Sequence, residues 1–529
     1  GRRGLLVHSW RASSVEGGRI LSRLKGKHSG PRPSRLLLSS GDCHGDISFE
    51  YCFSAFVYAQ ARVDWPAKHL AGPAPVRSAA ADRPFVDPGL LPEAAPAAPL
   101  EPTEQRNACM PVSSVPDGPA VPVAIDALDF GAVWPITRGA GQVVAVIDTG
   151  VTPHPRLPGL RAGGDYVHTG DGLSDCDAHG TLVAGLIAGS SVDVSGFSGG
   201  APDAQIISIR QSSNAFQPAR TAEDEGDPSA ENASGYGNVM TMAMAVRTAA
   251  DLGATVINIS EVACVPSGAG YVDGPLGAAI DYAARVKDVV VVAAAGNVGG
   301  TSPCRGQNPP PDPADPFADQ WERIATIATP AWFDDQVLTV GSVNPDGTPA
   351  AFSLAGPWMD VAAPGTAMTS LSPTGSGLAD GTVDSQGGFA PIQGTSFSAP
   401  LVAAVAALVR AHRPDLSAAE VIERIEATAH APAEGWNHLV GHGVVDPLAA
   451  VTGNIDSKYV PAPAEPSAMA APIPAAPPDL RPRTVAATGT AVVLVLLGAG
   501  LSVSVLLPKR TRRHPAGSAA PAGSGPTPS

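Results

Sequence analysis

The sequence predicts an α/β fold, in which a parallel sheet is covered by helices on both faces, followed by a C-terminal transmembrane helix. Between residues 121 and 455, short apolar runs rich in Val and Ile recur, namely QVVAVID, AQIISIR, TVINIS and VVVVAAA. They alternate with stretches typical of helices, namely GTLVAGLIAG, NVMTMAMAVRTAADLG and PLGAAIDYAARV. Near-continuous apolar strands that alternate with helices are typical of a parallel sheet buried on both faces. We therefore interpret residues 121–455 as one α/β domain.

The transmembrane helix is predicted at residues 484–507. Residues 485–507 form a run of 23 residues without a charge, long enough to cross a bilayer as a helix. Arg481 and Arg483 precede it, and four basic residues follow it: Lys509, Arg510, Arg512 and Arg513. This excess places the tail, residues 508–529, in the cytoplasm and the domain outside the membrane. A buried core helix is the alternative, which the length and the basic flanks disfavour.

Three further segments flank these parts. Residues 456–483 are rich in Pro and Ala and are predicted to form a semi-extended linker. Residues 71–120 are predicted to form an Ala- and Pro-rich arm. Residues 1–70 remain an uncertain segment, because the first 60 residues contain no apolar signal-peptide core. A mis-assigned start and a missing signal peptide are both left open.

Composition limits the classes of partner. The chain of 529 residues has a net charge of −15, which argues against nucleic acid. None of its six cysteines lies in a CxxC pair, which disfavours a zinc knuckle or a thioredoxin-like site. An even number of cysteines in a chain with export features indicates disulfides, with fifteen pairings open in principle.

Three segments carry side chains that suit nucleophilic catalysis. Asp148 ends a strand in VIDTGV, His179 opens a helix in DAHGTLVAG, and Ser396 stands at a helix start in GTSFSAPLVA, with Pro400 in the first turn. A serine hydroxyl needs a base to take its proton, and a histidine is such a base near neutral pH. A buried carboxylate holds the imidazole in the correct tautomer. The helix dipole at Ser396 favours the developing negative charge.

A fourth residue and one alternative complete the site hypothesis. Asn297, in AAAGN just beyond a strand, carries an amide that can donate to a tetrahedral oxyanion. The tripeptide Asp-Thr-Gly also occurs in aspartic proteases, but these need a second such motif to hold a pair of carboxylates. Asp148 lies in the only such tripeptide of the chain, so this reading is rejected.

These motifs, in this order, resemble the subtilase family of serine endopeptidases over residues 120–452. The resemblance implies a subtilisin-like fold for the peptidase domain at 121–455. It implies that Asp148 orients His179, that His179 acts as general base and then acid, that Ser396 is the nucleophile, and that Asn297 completes the oxyanion hole with the Ser396 amide. It also implies a set of substrate-binding residues: Ser260, Ala293, Ala295 and Gly296 at a side-chain pocket, and Gly235 and Gly237 beside the substrate backbone.

Within the subtilases the chain is most similar to the mycosins, membrane-anchored proteases of type VII secretion systems. The segments that carry this likeness are PTEQRNACM, FGAVWPITRGAGQVVAVIDTGV, the Pro-rich linker and the single C-terminal span. The resemblance implies protein or peptide substrates, association with a secretion membrane complex, and two disulfides, Cys109–Cys176 and Cys264–Cys304. Cys43 and Cys52 have no counterpart in it.

No cofactor is implied for catalysis, and no metal site is predicted. Four histidines show no metal-ligand spacing: His154, His168, His438 and His442. A structural calcium ion is left open; Asp312, Asp315 and Asp319 are candidates by composition, although solvated loop charges are the favoured interpretation.

Two hypotheses of different class remain. The first is an active endopeptidase that processes secreted proteins, and the second is a scaffold that stabilises the secretion complex. The intact Asp148, His179, Ser396 and Asn297 favour activity. Glu261, which follows the INIS strand, is interpreted either as favouring a basic or small substrate residue or, as we prefer, as pointing to solvent.

Overall fold

The computed structural model describes residues 83–219, 235–269, 272–300, 302, 304–315, 318–383, 387–455 and 481–506. Segments 1–70, 508–529 and nearly all of the predicted linker lie outside these residues. The strands are β1 Thr103–Gln105, β2 Val143–Asp148, β3 Leu160–Asp165, β4 Gln205–Arg210, β5 Phe216–Pro218, β6 Val256–Ile259, β7 Ala263–Pro266, β8 Val290–Ala294, β9 Thr326–Thr329, β10 Val337–Val343, β11 Val361–Pro364, β12 Ser370–Leu371, β13 Leu378–Ala379, β14 Gly381–Val383 and β15 Phe389–Pro391. The helices are α1 Val123–Asp126, α2 Phe130–Val133, α3 His179–Ala188, α4 Val239–Asp251, α5 Gly274–Asp281, α6 Thr395–His412, α7 Ala418–Thr428, α8 Pro447–Thr452 and α9 Arg481–Leu506.

The main sheet has seven strands in the order β11-β10-β8-β6-β2-β4-β3. Every neighbouring pair in it is parallel. The four apolar runs that predicted the sheet form its four adjacent strands β8, β6, β2 and β4. The predicted parallel α/β architecture is therefore confirmed.

Alternate residues of each central strand pack on opposite faces of the sheet, as the pleat requires. In β2, Val144 and Val146 join the core cluster that contains α3 and α6. Ala145 and Ile147 join the cluster on the other face, which contains α4 and α5. All four side chains are fully buried. Burial on both faces explains why the strand reads as an uninterrupted apolar run.

Helix α6 lies at the centre of the larger core cluster. All of its residues from Thr395 to Val409 are buried, and it packs against β6, β8, β10 and β11. A helix that is apolar on all sides is typical of a fully buried position. Among the described residues it is the helix long and apolar enough to cross a membrane, but 83% of it is buried inside the protein. We therefore interpret α6 as a core helix.

The segment predicted to span the membrane is helical, as α9 runs from Arg481 to Leu506. Its described apolar side chains are exposed; for example, Val495 is 70% and Leu496 is 66% accessible. The basic residues that follow it lie outside the described residues. The predicted helix is thus present, whereas its placement in a membrane stays a prediction.

The arm before the domain is fastened at several points. Strand β1 pairs antiparallel with β5. A disulfide joins Cys109 to Cys176 with an S–S distance of 2.01 Å. Beyond it, Val112 forms a β-bridge with Thr382 in β14. A second disulfide joins Cys264 in β7 to Cys304, so both pairings agree with those implied by the family resemblance.

Candidate active site

Two of the four residues predicted to carry the chemistry end or follow strands of the sheet, and the other two lie at the beginnings of helices α3 and α6. Asp148 is the last residue of β2, and Asn297 follows shortly after β8. His179 is the first residue of α3, and Ser396 lies in the first turn of α6. Because the carboxyl ends of parallel strands share one edge, β2 and β8 deliver their side chains to the same side of the sheet.

His179 and Asp148 are in direct contact. Nδ1 of His179 lies 2.7 Å from Oδ1 of Asp148, as in a strong hydrogen bond to a carboxylate. Asp148 is fully buried, and its Oδ1 also accepts a hydrogen bond from the amide of Thr149 at 2.8 Å. A carboxylate in this position keeps a proton on Nδ1 and leaves Nε2 as the basic nitrogen of the neutral ring.

A network that supports this pair was not predicted from the sequence. Oγ1 of Thr149 donates to Oδ1 of Asp175 at 2.9 Å and accepts from the amide of Gly180 at 3.0 Å. Oδ2 of Asp175 accepts from the amide and the hydroxyl of Thr181 at 2.8 and 2.6 Å. Burial raises the pKa of Asp175 to about 6, although the hydrogen bonds from Thr181 and Thr149 act to lower it. The network ties the end of β2 to the first turn of α3. Two features of the sequence could have indicated this network: the Thr of Asp-Thr-Gly and the acidic residue four positions before His179.

Close approach of strand and helix requires glycine at two positions. A Cβ atom on Gly180 would collide with the carbonyl oxygen of Gly150. Gly150 itself has φ of +97°, and a Cβ atom there would collide with the carbonyl oxygen of Ser174. The glycines that follow Asp148 and His179 in their motifs thus allow the two side chains to meet.

Ser396 is fixed in place through its backbone carbonyl, which accepts a hydrogen bond from Ser260. Pro400, predicted in the first turn of the helix, lies instead in the second, because α6 begins at Thr395. There it lacks the N–H group that would bond the carbonyl of Ser396 four residues earlier. Oγ of Ser260 donates to this carbonyl at 2.8 Å and so replaces the missing bond. The side chain of Ser260 is therefore directed at α6.

The amide of Asn297 is oriented by the residue before Ser396. Its Oδ1 accepts from the amide of Thr395 at 2.9 Å and from the hydroxyl of Thr395 at 3.1 Å. A methyl group placed on Gly394 would lie 3.0 Å from Oγ of Ser396 and 3.3 Å from Nδ2 of Asn297. The hydroxyl and the amide donor therefore line the same small space.

Glu261 lies beside the imidazole, so the preference for a solvent-pointing side chain was wrong. Its Oε1 is 3.8 Å from Nδ1 of His179, and its side chain is 32% exposed. Burial alone would lower the pKa of His179, but the charges of Asp148, Glu261 and Asp175 outweigh burial and raise it. Burial, together with the charge of Asp148, raises the pKa of Glu261. The site thus holds its histidine in a strongly negative environment.

Among the remaining predicted substrate-binding residues, Gly296 bonds Thr395 and Gly237 lines a cleft together with Glu261. Ala293 and Ala295 are fully buried, and the amide of Gly296 donates to the Thr395 hydroxyl at 3.1 Å. A cleft of about 480 Å³ adjoins Glu261, which lines it together with Gly237 from another segment of the chain. Gly235 precedes Tyr236, whose amide and carbonyl both bond Ser213.

The acidic candidates for calcium do not gather. Within the described part of the chain, Asp312, Asp315 and Asp319 do not form a group with metal-binding spacing. Oδ1 of Asp312 accepts from the amide of Ala314, and Oδ1 of Asp319 accepts from the amide of Trp321. These carboxylates serve local turns.

Comparisons with known proteins identify the family of the chain. The model of the subtilase family matches residues 139–443. Mycosin-4 of Mycobacterium tuberculosis is 50% identical over 432 residues, which cover 80% of this chain and 90% of that protein. The crystal structure of MycP1 from Mycobacterium smegmatis superposes with a TM-score of 0.64 at 44% identity, covering 71% of this chain and 96% of that one. A chain of an intact ESX-5 inner membrane complex superposes with a TM-score of 0.67 at 45% identity, covering 80% of this chain and all of that one. The chain therefore belongs to the subtilase family of serine endopeptidases and, within it, to the mycosins.

Proposed function

We propose that the protein cleaves peptide bonds in secreted proteins with Ser396 as nucleophile, His179 as base and Asp148 as its orienting carboxylate. The observation that carries this proposal is the 2.7 Å contact between His179 Nδ1 and Asp148 Oδ1. The Ser396 hydroxyl and the Asn297 amide line a common space, and the ring of Phe397, which follows Ser396, lies 5.0 Å from that of His179. Catalysis in the subtilase family requires no cofactor.

In the proposed reaction, Oγ of Ser396 forms a bond to the carbonyl carbon of the substrate while its proton passes to Nε2 of His179. The electron pair of the carbonyl moves onto oxygen, and the amides of Asn297 and Ser396 donate to this oxyanion. The C–N bond then breaks, and His179 gives its proton to the leaving amine. Water repeats the sequence on the acyl-enzyme, and Asp148 stabilises the imidazolium in both halves.

The substrate backbone would lie along residues 235–237 as an added strand. The amide and carbonyl of Tyr236 already bond Ser213 at 2.8 and 2.9 Å. The groups left for a substrate are therefore those of Gly235 and Gly237. The proposed side-chain pocket is formed by the backbone near Ser260, Ala293, Ala295 and Gly296. The side chains of Ser260, Ala293 and Ala295 are buried, so they are not available to contact a substrate.

We further infer that the protein works at the membrane within a type VII secretion complex. The similar chain in the ESX-5 inner membrane complex supports such a partner. Exposed apolar side chains along α9 support a single membrane span, and the basic residues after it support a cytoplasmic tail. The same likeness supports the second candidate function, a scaffold that stabilises the complex whether or not it cuts.

The test uses the full chain purified in detergent and a fluorophosphonate probe, which reacts with an activated serine. Ser396→Ala is expected to abolish labelling and hydrolysis of peptides. Ser398→Ala is the matched control, because Ser398 is buried in the same helix and its hydroxyl has no hydrogen-bond partner among the described residues. If Ser396→Ala is labelled like the wild type, or the wild type is not labelled at all, the proposed activity is wrong.

Secretion by cells that carry Ser396→Ala separates the two candidate functions. Secretion that survives this substitution but stops when the whole chain is deleted would assign the essential role to the scaffold.

A further inference from the structure

Two carboxylates approach the same nitrogen of His179. Oδ1 of Asp148 lies 2.7 Å from Nδ1, and Oε1 of Glu261 lies 3.8 Å from it. Nδ1 carries one proton, and Asp148 accepts it. Glu261 is therefore not needed to choose the tautomer. In its ionised form it adds to the imidazole a second negative charge, within the range where a neighbouring charge strongly favours the protonated ring.

The groups around the imidazole are acidic on several sides. Asp148 faces it from the end of β2, Asp175 from the loop before α3, and Glu261 from the segment after β6; Asp177 of the same loop acts on Glu261. From α6, the ring of Phe397 lies 5.0 Å from that of His179 and offers no charge. Within the described residues, the ion pairs of Glu261 and of Asp148 are both with His179.

The adjoining cleft shows what could offset this charge. It is lined by Gln211, Ser212, residues 237–240, Met242 and residues 261–263. Among these described residues, Glu261 is the one with an ionisable side chain. A substrate side chain that enters the cleft therefore meets a single carboxylate, which is also in contact with His179.

We propose that Glu261 is a positioning residue that holds His179 as an imidazolium before substrate binds. A basic substrate side chain in the adjoining cleft then pairs with Glu261 and lifts this restraint on His179. The proposal rests on the function proposed above, since the restraint matters only if His179 is the base for Ser396. The raised pKa of His179 agrees with it.

The first experiment measures the rate of fluorophosphonate labelling against pH in the full chain. In Glu261→Gln, the midpoint of the rise with pH is expected to move down by about one pH unit, and labelling at pH 7 to become about tenfold faster, since one unit of pKa is a tenfold change in the basic form. Glu261→Asp keeps the charge and is expected to stay near the wild type. Glu423→Gln, on the exposed side of α7, controls for a remote loss of charge.

An unchanged or higher midpoint in Glu261→Gln would overturn the restraint. Ser396→Ala is measured in parallel, because labelling that survives it contradicts the proposed function rather than the role of Glu261.

The second experiment compares peptides that carry Lys or norleucine, one position at a time, at the four residues before the scissile bond. The wild type is expected to cleave one Lys peptide about tenfold faster than its norleucine partner, through kcat at pH 7. This preference is expected to disappear in Glu261→Gln. No preference in the wild type, or one that survives in Glu261→Gln, would overturn the role of the basic side chain.

Discussion

Ser260 donates a hydrogen bond to the backbone carbonyl of Ser396 at 2.8 Å, in the place where Pro400 cannot. The first turn of α6 is thereby tied to the segment after β6, which also carries Glu261. The position of Ser396 and the charge beside His179 thus both depend on residues 260 and 261.

Ser260→Ala should leave a buried carbonyl without a partner. We expect a loss of about 1–3 kcal/mol in the free energy of unfolding and a lower kcat. Denaturant unfolding and peptide hydrolysis measure both. Pro400→Ala restores an N–H group that can bond the same carbonyl, so the double variant should recover part of the loss. A double-mutant cycle without coupling between the two positions would contradict this account.

Asp148→Asn should leave the fold intact and slow catalysis on the order of 10⁴-fold, as when the orienting carboxylate of a related triad is replaced. Of the two terminal atoms of an asparagine side chain, only the oxygen can accept the Nδ1 proton, and the uncharged amide does not stabilise an imidazolium. The measurement is kcat together with the melting temperature. Asp203→Asn is the matched control, because that carboxylate pairs with Arg138 and its side chain is 45% exposed. A loss of only a few fold would remove Asp148 from its proposed role.

Asn297→Ala should lower kcat by about 10²–10³-fold with little change in KM, because the lost donor acts on charge that develops in the transition state. Thr395→Val tests the orientation of the amide, since it removes one of the two bonds to Asn297 Oδ1 and keeps the other. We expect an intermediate effect. A rise in KM with unchanged kcat would assign Asn297 to substrate binding instead.

Gly394→Ala should abolish activity by obstruction. The methyl group would occupy the space between Ser396 Oγ and Asn297 Nδ2, where the substrate carbonyl must sit. Gly394 has φ of +150°, so backbone strain accompanies the substitution. Gly387→Ala separates the two effects, because Gly387 also has positive φ but a Cβ atom there would meet no atom of the described residues within 4 Å. An active Gly394→Ala enzyme would show that the oxyanion space is elsewhere.

The strands and helices, and the site residues that lie at their ends, could be predicted from the sequence. The strands are buried on both faces and therefore read as apolar runs, and their carboxyl ends place Asp148 and Asn297 at one edge. His179 and Ser396 follow because each opens a helix beside that edge. The motifs around them are local in sequence, so that a few residues suffice to recognise each.

The side-chain network could not be predicted, because it depends on contacts between distant segments. Asp175 reads as one of three acids in a polar loop, and only the fold shows that it bonds Thr149 and Thr181. The direction of Glu261 depends on how the segment after β6 packs against α3. Pro400 lies one turn later than predicted, because α6 begins at Thr395, whose bonds are with Asn297, a residue remote in sequence.

Burial of α6 couples the chemistry to the cooperativity of the whole domain. Segments that bury most of their apolar contacts exchange their amide hydrogens only when the protein unfolds globally. Ser396 lies on such a segment, whereas Glu261 and residues 235–237 lie on connections at its margin. Amide exchange along α6 should therefore slow to the limit set by global unfolding. The nucleophile and the native fold would then be lost in a single transition.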